Sequence, residues 1–404
     1  MKILRPLSFI LTLTASSLAA EDFLDQVDET LTINAFDGNV RARLSGFLDL
    51  ELYGLDLPPP GLIDANHHFL ANPRLSVFLD AQIGSHVYFF AQSRVDRDFD
   101  PHDQEIRVRL DEYALRINPS ASDYFELQIG KFATVVGNYV QRHLSWDNPF
   151  INAPLPYENL TLASDTEAPA NARDFVSGFI PDEDENLPVI WGPSYASGAS
   201  VAGKIGEFNY ALEVKNSALA SRPKSWDATQ IGFDHPTVSG RFGFRPNEAW
   251  NFGFSASDGP YLRPEAERTL PPGQSLGDFR QLLLGQDISY AIHHLQLWAE
   301  FYEVRFQVPR VGNVDTVAYY LEGKYKFTPQ LFAAVRWNQQ LFNTIADDAG
   351  GSIRWGHDLW RIDTSLGYRF TAHTQLKLQY SFQSANSDSR NLTHTLATQV
   401  TLRF

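Results

Sequence analysis

The sequence predicts an all-β protein: a transmembrane, antiparallel, up-and-down β-barrel of 16 strands. Three observations carry this expectation. Apolar and polar residues alternate with period two in one segment after another, the connections between segments alternate short and long, and the chain ends an alternating run on an aromatic residue, Phe404. Pleating sends successive side chains to opposite faces of a strand. Alternation is therefore the pattern of a wall with hydrocarbon on one side and water on the other.

The chain opens with Lys2 and Arg5, an apolar run from Leu7 to Leu13, and the small residues Ala15, Ser16, Ser17, Ala19 and Ala20. This predicts a secretory signal over residues 1–20, cleaved after Ala19 or Ala20. The apolar run is too short to span a bilayer, and no later window offers a transmembrane helix. Residues 21–39 are acidic and predict a periplasmic segment, either a tail or a plug. From residue 40 to 404 no linker or composition shift divides the chain, as one large closed barrel requires. Aromatic residues make up 13 % of the chain, and the mean hydropathy is slightly negative, as expected when half the wall is polar. The absence of cysteine removes thiolate metal sites and cysteine nucleophiles. The formal charge is −15, and loss of Lys2 and Arg5 makes it −17, which argues against nucleic acid as a partner.

The first strand begins at Val40. Ala42, Leu44, Gly46, Leu48, Leu50 and Leu52 form its apolar or small face, and Arg41, Arg43, Ser45, Asp49 and Glu51 its polar face. Next, Leu75, Val77, Leu79, Ala81 and Ile83 oppose Arg74, Ser76, Asp80 and Gln82. Val87, Phe89, Ala91 and Val95 oppose Gln92, Arg94 and Asp96. Ile106, Val108 and Leu110 oppose Arg107, Arg109 and Asp111. Later runs, such as Leu295 to Phe301, Val317 to Tyr325 and Trp360 to Phe370, repeat the pattern. The last run places Leu392, Leu396, Val400, Leu402 and Phe404 on one face. Sixteen segments result, starting near residues 40, 73, 85, 104, 123, 196, 207, 236, 249, 280, 294, 314, 330, 357, 374 and 391.

Short turns are expected at Gly84–Ser85, Asn118–Ser122, Ile205–Gly206, Pro246–Glu248, Ile292–His293, Thr328–Pro329 and Thr371–His373. Longer loops alternate with them near 56–72, 97–103, 132–195, 218–235, 259–279, 307–313, 341–356 and 384–390. Short turns in the periplasm and long loops outside are the usual asymmetry of outer-membrane barrels. Tyr53, Tyr113, Tyr124, Tyr290, Tyr302, Trp337, Trp360, Phe370 and Phe404 lie near strand ends, where amphipathic rings meet lipid headgroups.

A strand that closes the chain on an aromatic residue resembles the assembly signal of Gram-negative outer-membrane barrels. With this count and this loop asymmetry, nearly the whole mature chain resembles a 16-stranded Gram-negative porin. The segment Gln128-Ile-Gly-Lys-Phe132 is similar to phosphate-selective and related anion porins. The resemblance implies an outer-membrane location among lipid and lipopolysaccharide. It implies recognition of the C-terminal strand by the barrel-assembly machinery, a homotrimer, and passive diffusion of ions and small hydrophilic solutes, with no cofactor and no enzymatic activity. It also implies that the third long loop folds into the lumen and narrows it.

That loop, residues 132–195, carries nine acidic residues: Asp147, Glu158, Asp165, Glu167, Asp174, Asp182, Glu183, Asp184 and Glu185. Arg142 and Arg173 are its only strong bases, and seven prolines stiffen it. A loop of this length without clear secondary structure is usually functional. Opposite it, Arg41, Arg43, Arg74, Arg94, Arg107 and Arg109 fall on the inward register of the first four strands. By analogy with general porins, these arginines and the loop carboxylates are the candidate sides of a charged eyelet, whose transverse field would orient polar solutes. Each arginine has an alternative role as a wall ion pair with Asp49, Asp80, Asp96 or Asp111. The run Asp182 to Glu185 reads equally as a solvated tip or as a cation site.

Other functions remain open. Tyr139, Trp146, Phe150 and Trp191 in the loop would suit a sugar-selective porin, and the arginine wall an anion-selective one. A barrel enzyme would need more than His143, Ser145 and Asp147, whose spacing dictates no triad geometry. The adjacent pairs His67–His68 and His293–His294 lack metal-ligand spacing. A structural anchor would close the lumen.

Overall fold

The computed structural model describes residues 23–27, 29–57, 61–63, 65–96, 107–120, 123–177, 185–385 and 392–404. The expected signal over residues 1–20 and the acidic Asp182, Glu183 and Asp184 lie outside the described residues. Sixteen strands form one antiparallel barrel. They are β1 Val40–Leu55, β2 Phe69–Ile83, β3 Val87–Asp96, β4 Arg107–Ile117, β5 Glu126–Phe132, β6 Ala196–Ile205, β7 Phe208–Lys215 and β8 Thr237–Phe244. There follow β9 Trp250–Pro260, β10 Arg280–Ile292, β11 Leu295–Val308, β12 Gly312–Lys326, β13 Leu331–Phe342, β14 Leu359–Arg369, β15 Thr374–Ala385 and β16 Thr393–Arg403. Each strand pairs with its neighbours in sequence, and β16 closes the sheet on β1 from Thr395↔Leu55 to Arg403↔Phe47.

The alternation has its expected structural meaning. On β13, Arg336, Asn338 and Gln340 are fully buried inside while Val335 and Leu341 are exposed outside. On β16, Thr395, Ala397, Gln399 and Thr401 are buried and Leu396 is exposed. A bulge interrupts the phase once on β4. Gln92 pairs with Glu112 and Ser93 with Leu110, so Asp111 is the extra residue. An extra residue shifts the side-chain phase by one. Arg107, Arg109 and Asp111 before it, and Glu112, Ala114 and Arg116 after it, thus share the inner face.

Phe404 lies at the seam. Its backbone exchanges hydrogen bonds with Gly46 on β1, N to O at 3.1 Å and O from N at 2.8 Å. Its ring occupies the space a side chain at position 46 would fill. Of the N-terminal segment, residues 23–27 form a helical turn, and Thr32–Ala35 pair with Val40–Arg43 through a turn in which Phe36, Asp37 and Gly38 all have positive φ. Asp25 Oδ1 lies 2.8 Å from His373 Nε2 in the β14–β15 turn. This part of the chain therefore runs along the rim at the turn end of the barrel.

Rings gather outside at both ends. Near the turns, Phe208 stacks on Phe242 and Phe244 with centroids 5.5 and 5.0 Å away, and Trp250 meets Tyr290 at 4.3 Å. Near the loops, Trp337 stacks on Trp360 at 5.6 Å. Two rings expected in these belts, Tyr53 and Tyr302, are instead buried on the inner face, with their hydroxyls on Glu51 and Tyr157. Both share the inward parity of polar wall residues, and parity outweighs aromatic character. The expected long loop at 307–313 is also corrected: β11 and β12 run on to Val308↔Gly312, joined by a tight turn with Arg310 at φ 60°.

Candidate pore constriction

The segment between β5 and β6 folds into the lumen and seats against the inner face of β10 to β15. Its prolines deny it regular structure, so many of its carbonyls need outside donors. The wall supplies them. Lys377 Nζ donates to the carbonyls of Ser145, Asn148 and Phe150 at 2.8, 3.1 and 3.1 Å. Arg369 donates to Trp146 O at 2.9 Å, Ser365 to Pro149 O at 2.8 Å, and Arg336 to Asn152 O and Ala153 O at 3.0 and 3.1 Å. Glu300 on β11 does the converse. It accepts from the backbone N–H groups of Asn138 and Tyr139 at 2.5 and 2.8 Å, and from the Tyr157 hydroxyl at 2.7 Å.

A ladder of buried ion pairs ties loop to wall. Arg142 meets Glu322 at 2.6 Å. Arg336 lies 3.5 Å from Glu322 and 2.8 Å from Asp363, and Arg361 holds Asp363 at 3.0 Å and also the loop's Glu158. Alongside it, Val136, Tyr139, Leu155, Tyr157 and Trp191 of the loop pack with Tyr302, Val304 and Phe306 of β11 in one apolar cluster. These seating residues escaped the sequence reading. Each stood on an inward register in β11 to β15, but nothing local distinguishes a wall cation that meets water from one that meets a loop.

The predicted arginines divide. Arg74, Arg94 and Arg109 stand side by side on β2, β3 and β4. Arg74 pairs with Asp49 at 3.0 Å and Glu51 at 2.7 Å, Arg94 with Asp96 at 2.5 Å, and Arg109 with Asp111 at 3.0 Å and Asp96 at 3.7 Å. The wall thus carries its own carboxylates. Arg41 and Arg43 do not join this level: Arg43 pairs with Asp80 while Asp49 pairs with Arg74. Six residues of strand, roughly 20 Å, separate the two registers. Arg107 is exposed at the loop end of β4.

The loop carboxylates mostly face away from these arginines. Asp165 is buried against Arg222 at 2.8 Å, and Asp174 accepts from Ala170 N at 2.7 Å in its own helical turn. Asp147, Glu167 and Glu185 are exposed. Glu158 lines the same cavity as Arg74 and Arg94, although its ion pair is with Arg361 on β14. Facing the arginines across this cavity of about 130 Å³ are chiefly neutral loop residues: His143, Ser145, Asn148 and Asn152. Among the described residues, no group of three or more His, Cys, Asp or Glu side chains could hold a metal ion.

His143 has a defined tautomer. Its Nδ1 lies 2.5 Å from the Val140 carbonyl, which can only accept, so Nδ1 carries the proton and Nε2 accepts from the Tyr195 hydroxyl at 2.6 Å. Burial pushes its pKa down to about 4; Arg94 and Arg74 act in the same direction, and the Val140 bond and Asp111 against it. In the unfolded chain the ordinary value is about 6.5. Between these values the unfolded chain binds a proton that the folded chain does not, so stability is full above about pH 6.5 and falls towards pH 4. In urea unfolding the stability difference between wild type and His143→Asn should therefore shift against wild type as pH falls from about 6.5 towards 4; a difference independent of pH would contradict the assignment.

No protein-family model matches the chain, and no curated protein matches it by sequence. Solved structures do match. OmpT, an outer membrane protein of Vibrio cholerae, aligns over 92 % of this chain and 99 % of its own, with TM-score 0.56 and 8 % identity. OmpF of Salmonella typhi, in complex with daunomycin, aligns over 92 % and 100 %, with TM-score 0.55 and 10 % identity. An anion-selective porin from Comamonas acidovorans aligns over 90 % and 100 %, with TM-score 0.55 and 9 % identity. At such identity the likeness is one of architecture: the chain has the closed 16-strand barrel fold of the outer-membrane porins.

Proposed function

We propose that the protein is an outer-membrane porin, a passive diffusion channel for ions and small hydrophilic solutes. The observation that carries this reading is the barrel itself: apolar outside, polar inside, and narrowed by an inserted loop that leaves charged and amide-lined space beside β1 to β4. Short turns then face the periplasm, and Phe404 offers the assembly machinery its C-terminal strand. The ringed exterior meets lipid and lipopolysaccharide, and a homotrimer is the assembly this fold favours. Asp49, Glu51, Asp96, Asp111 and Glu158 outnumber Arg74, Arg94 and Arg109 around the narrow region, which supports a weak preference for cations. The packing of the loop against β10 to β15 favours, as a second reading, a closed barrel acting as an anchor.

Planar-bilayer recording decides between them. Wild type should give unitary steps and, in a salt gradient, a reversal potential on the cation side. Arg109→Glu should move that potential further in the same direction, and Arg107→Glu should move it less, because Arg107 stands at the strand end. A silent bilayer would sink the channel reading in favour of the anchor.

A further inference from the structure

Two cavities lie within the barrel, one along β1 to β3 and the other along β3 to β8. The cavity nearer the loop end, about 130 Å³, lies between Glu51, Arg74 and Arg94 on the wall and the loop. The one nearer the turns, about 440 Å³, is lined by Glu112, Arg116, Gln128 and Arg241. They approach each other at two places. On β3, Gln92 lines the first and Phe90 the second; on the loop, His143 lines the first and Gln141 the second. Inward neighbours on a strand are only about 7 Å apart. Tyr195 bridges this gap. Its hydroxyl donates to His143 Nε2 at 2.6 Å, and it lies beside Gln92. Its ring is buried edge-on against Trp226, with centroids 5.5 Å apart.

We propose that the His143–Tyr195–Gln92 bridge is the gate of the conducting path, a neutral partition whose opening joins the two cavities. The loop is fastened asymmetrically. Towards β12 to β15 its bonds are charge-assisted and include the Arg142–Glu322 and Arg361–Glu158 pairs, while towards β3 the bridge is made of neutral groups. Neutral hydrogen bonds are the weaker kind, and the two roots of the loop beside the bridge are themselves held by Glu112, Glu213 and Lys215, so the weak point is the bridge itself and its opening is a movement of side chains. A gate without charge also leaves ion preference to the ion pairs above it.

The inference rests on the porin reading, and one set of recordings separates the two. The chain has no cysteine, so a single introduced thiol reports one position. Tyr195→Phe and His143→Ala should raise unitary conductance or open time about two-fold, as expected of widening a constriction. Gln92→Cys removes the third member and should likewise raise conductance, until a charged methanethiosulfonate reagent modifies it and it loses most of its current. Heat-modifiable gel migration confirms that each variant is folded. Folded variants with wild-type conductance, together with a modified Gln92→Cys whose current is unchanged, would overturn the gate and leave the porin reading standing. Silence from wild type and every variant, in bilayers and in liposome swelling, would overturn the porin reading itself.

Discussion

Replacing Arg336 with leucine is expected to unseat the constriction loop while leaving the barrel closed. Arg336 is fully buried. It bonds Asp363, lies near Glu322, donates to two loop carbonyls, and sits 4.3 Å from the centre of the Phe150 ring. Leucine fills much of the volume but leaves two carboxylates sharing fewer cations and the Asn152 carbonyl without its donor, while Ala153 O keeps Arg361. Removing one partner from a buried ion pair costs about 3–5 kcal/mol. The barrel's backbone ladder is untouched, so the loss falls on the seat of the loop. Arg336→Lys should restore little, because an ammonium cannot make the forked contacts of a guanidinium. Limited proteolysis of the folded barrel should then cut within residues 133–195, where wild type resists, and the current should become larger and noisier. Arg305→Ala is the matched control: its pair with Asp315 lies on the half-exposed outer face, where such pairs are worth about 0–1 kcal/mol. Equal protease resistance in Arg336→Leu and wild type would refute this account of the seat.

Substitution of Gly46 should damage assembly as severely as deletion of Phe404. A Cβ at position 46 would lie 2.4 Å from Phe404 Cζ and 2.7 Å from the Ser76 carbonyl oxygen. The ring can swing away; the backbone of β2 cannot. Gly46→Leu therefore displaces the ring and strains the β1–β2 pairing at the strand that closes the barrel. Deleting Phe404 removes the same ring and its two backbone hydrogen bonds with Gly46. Both variants should yield several-fold less heat-modifiable barrel in the outer membrane, and the molecules that do assemble should conduct normally, because position 46 faces outward. Phe404→Tyr keeps the ring and should assemble. Wild-type yield from Gly46→Leu would show that the ring does not need this seat.

The fold was legible because hydrocarbon and water act on one residue at a time. Leu396 and Leu366 are exposed and Thr401 and Asp363 are buried, each for a reason written in its own side chain and its parity. Strand starts read from alternation lie within four residues of those observed. The insertion of the loop was expected only through the resemblance to 16-stranded porins, from its place after the fifth strand. The candidate site was legible only in part. Arg74, Arg94 and Arg109 were placed on one inner sector, but their partnership with Asp49, Glu51, Asp96 and Asp111 depends on strand register, and the β4 bulge that keeps Arg109 inward leaves no mark in composition.

What the sequence determined by itself, then, was everything set by local period and chain order: a barrel of sixteen strands, its two faces and its closing aromatic. What only the tertiary structure decided was which charges meet. Glu158 had Arg74 and Arg361 both within the lumen's reach, and the ladder through Asp363 and Arg336 drew it to β14. His143 and Tyr195, at opposite ends of the loop, met each other rather than a catalytic or charged partner. Such choices rest on distances between residues far apart in the chain, and a burial period carries no information about them.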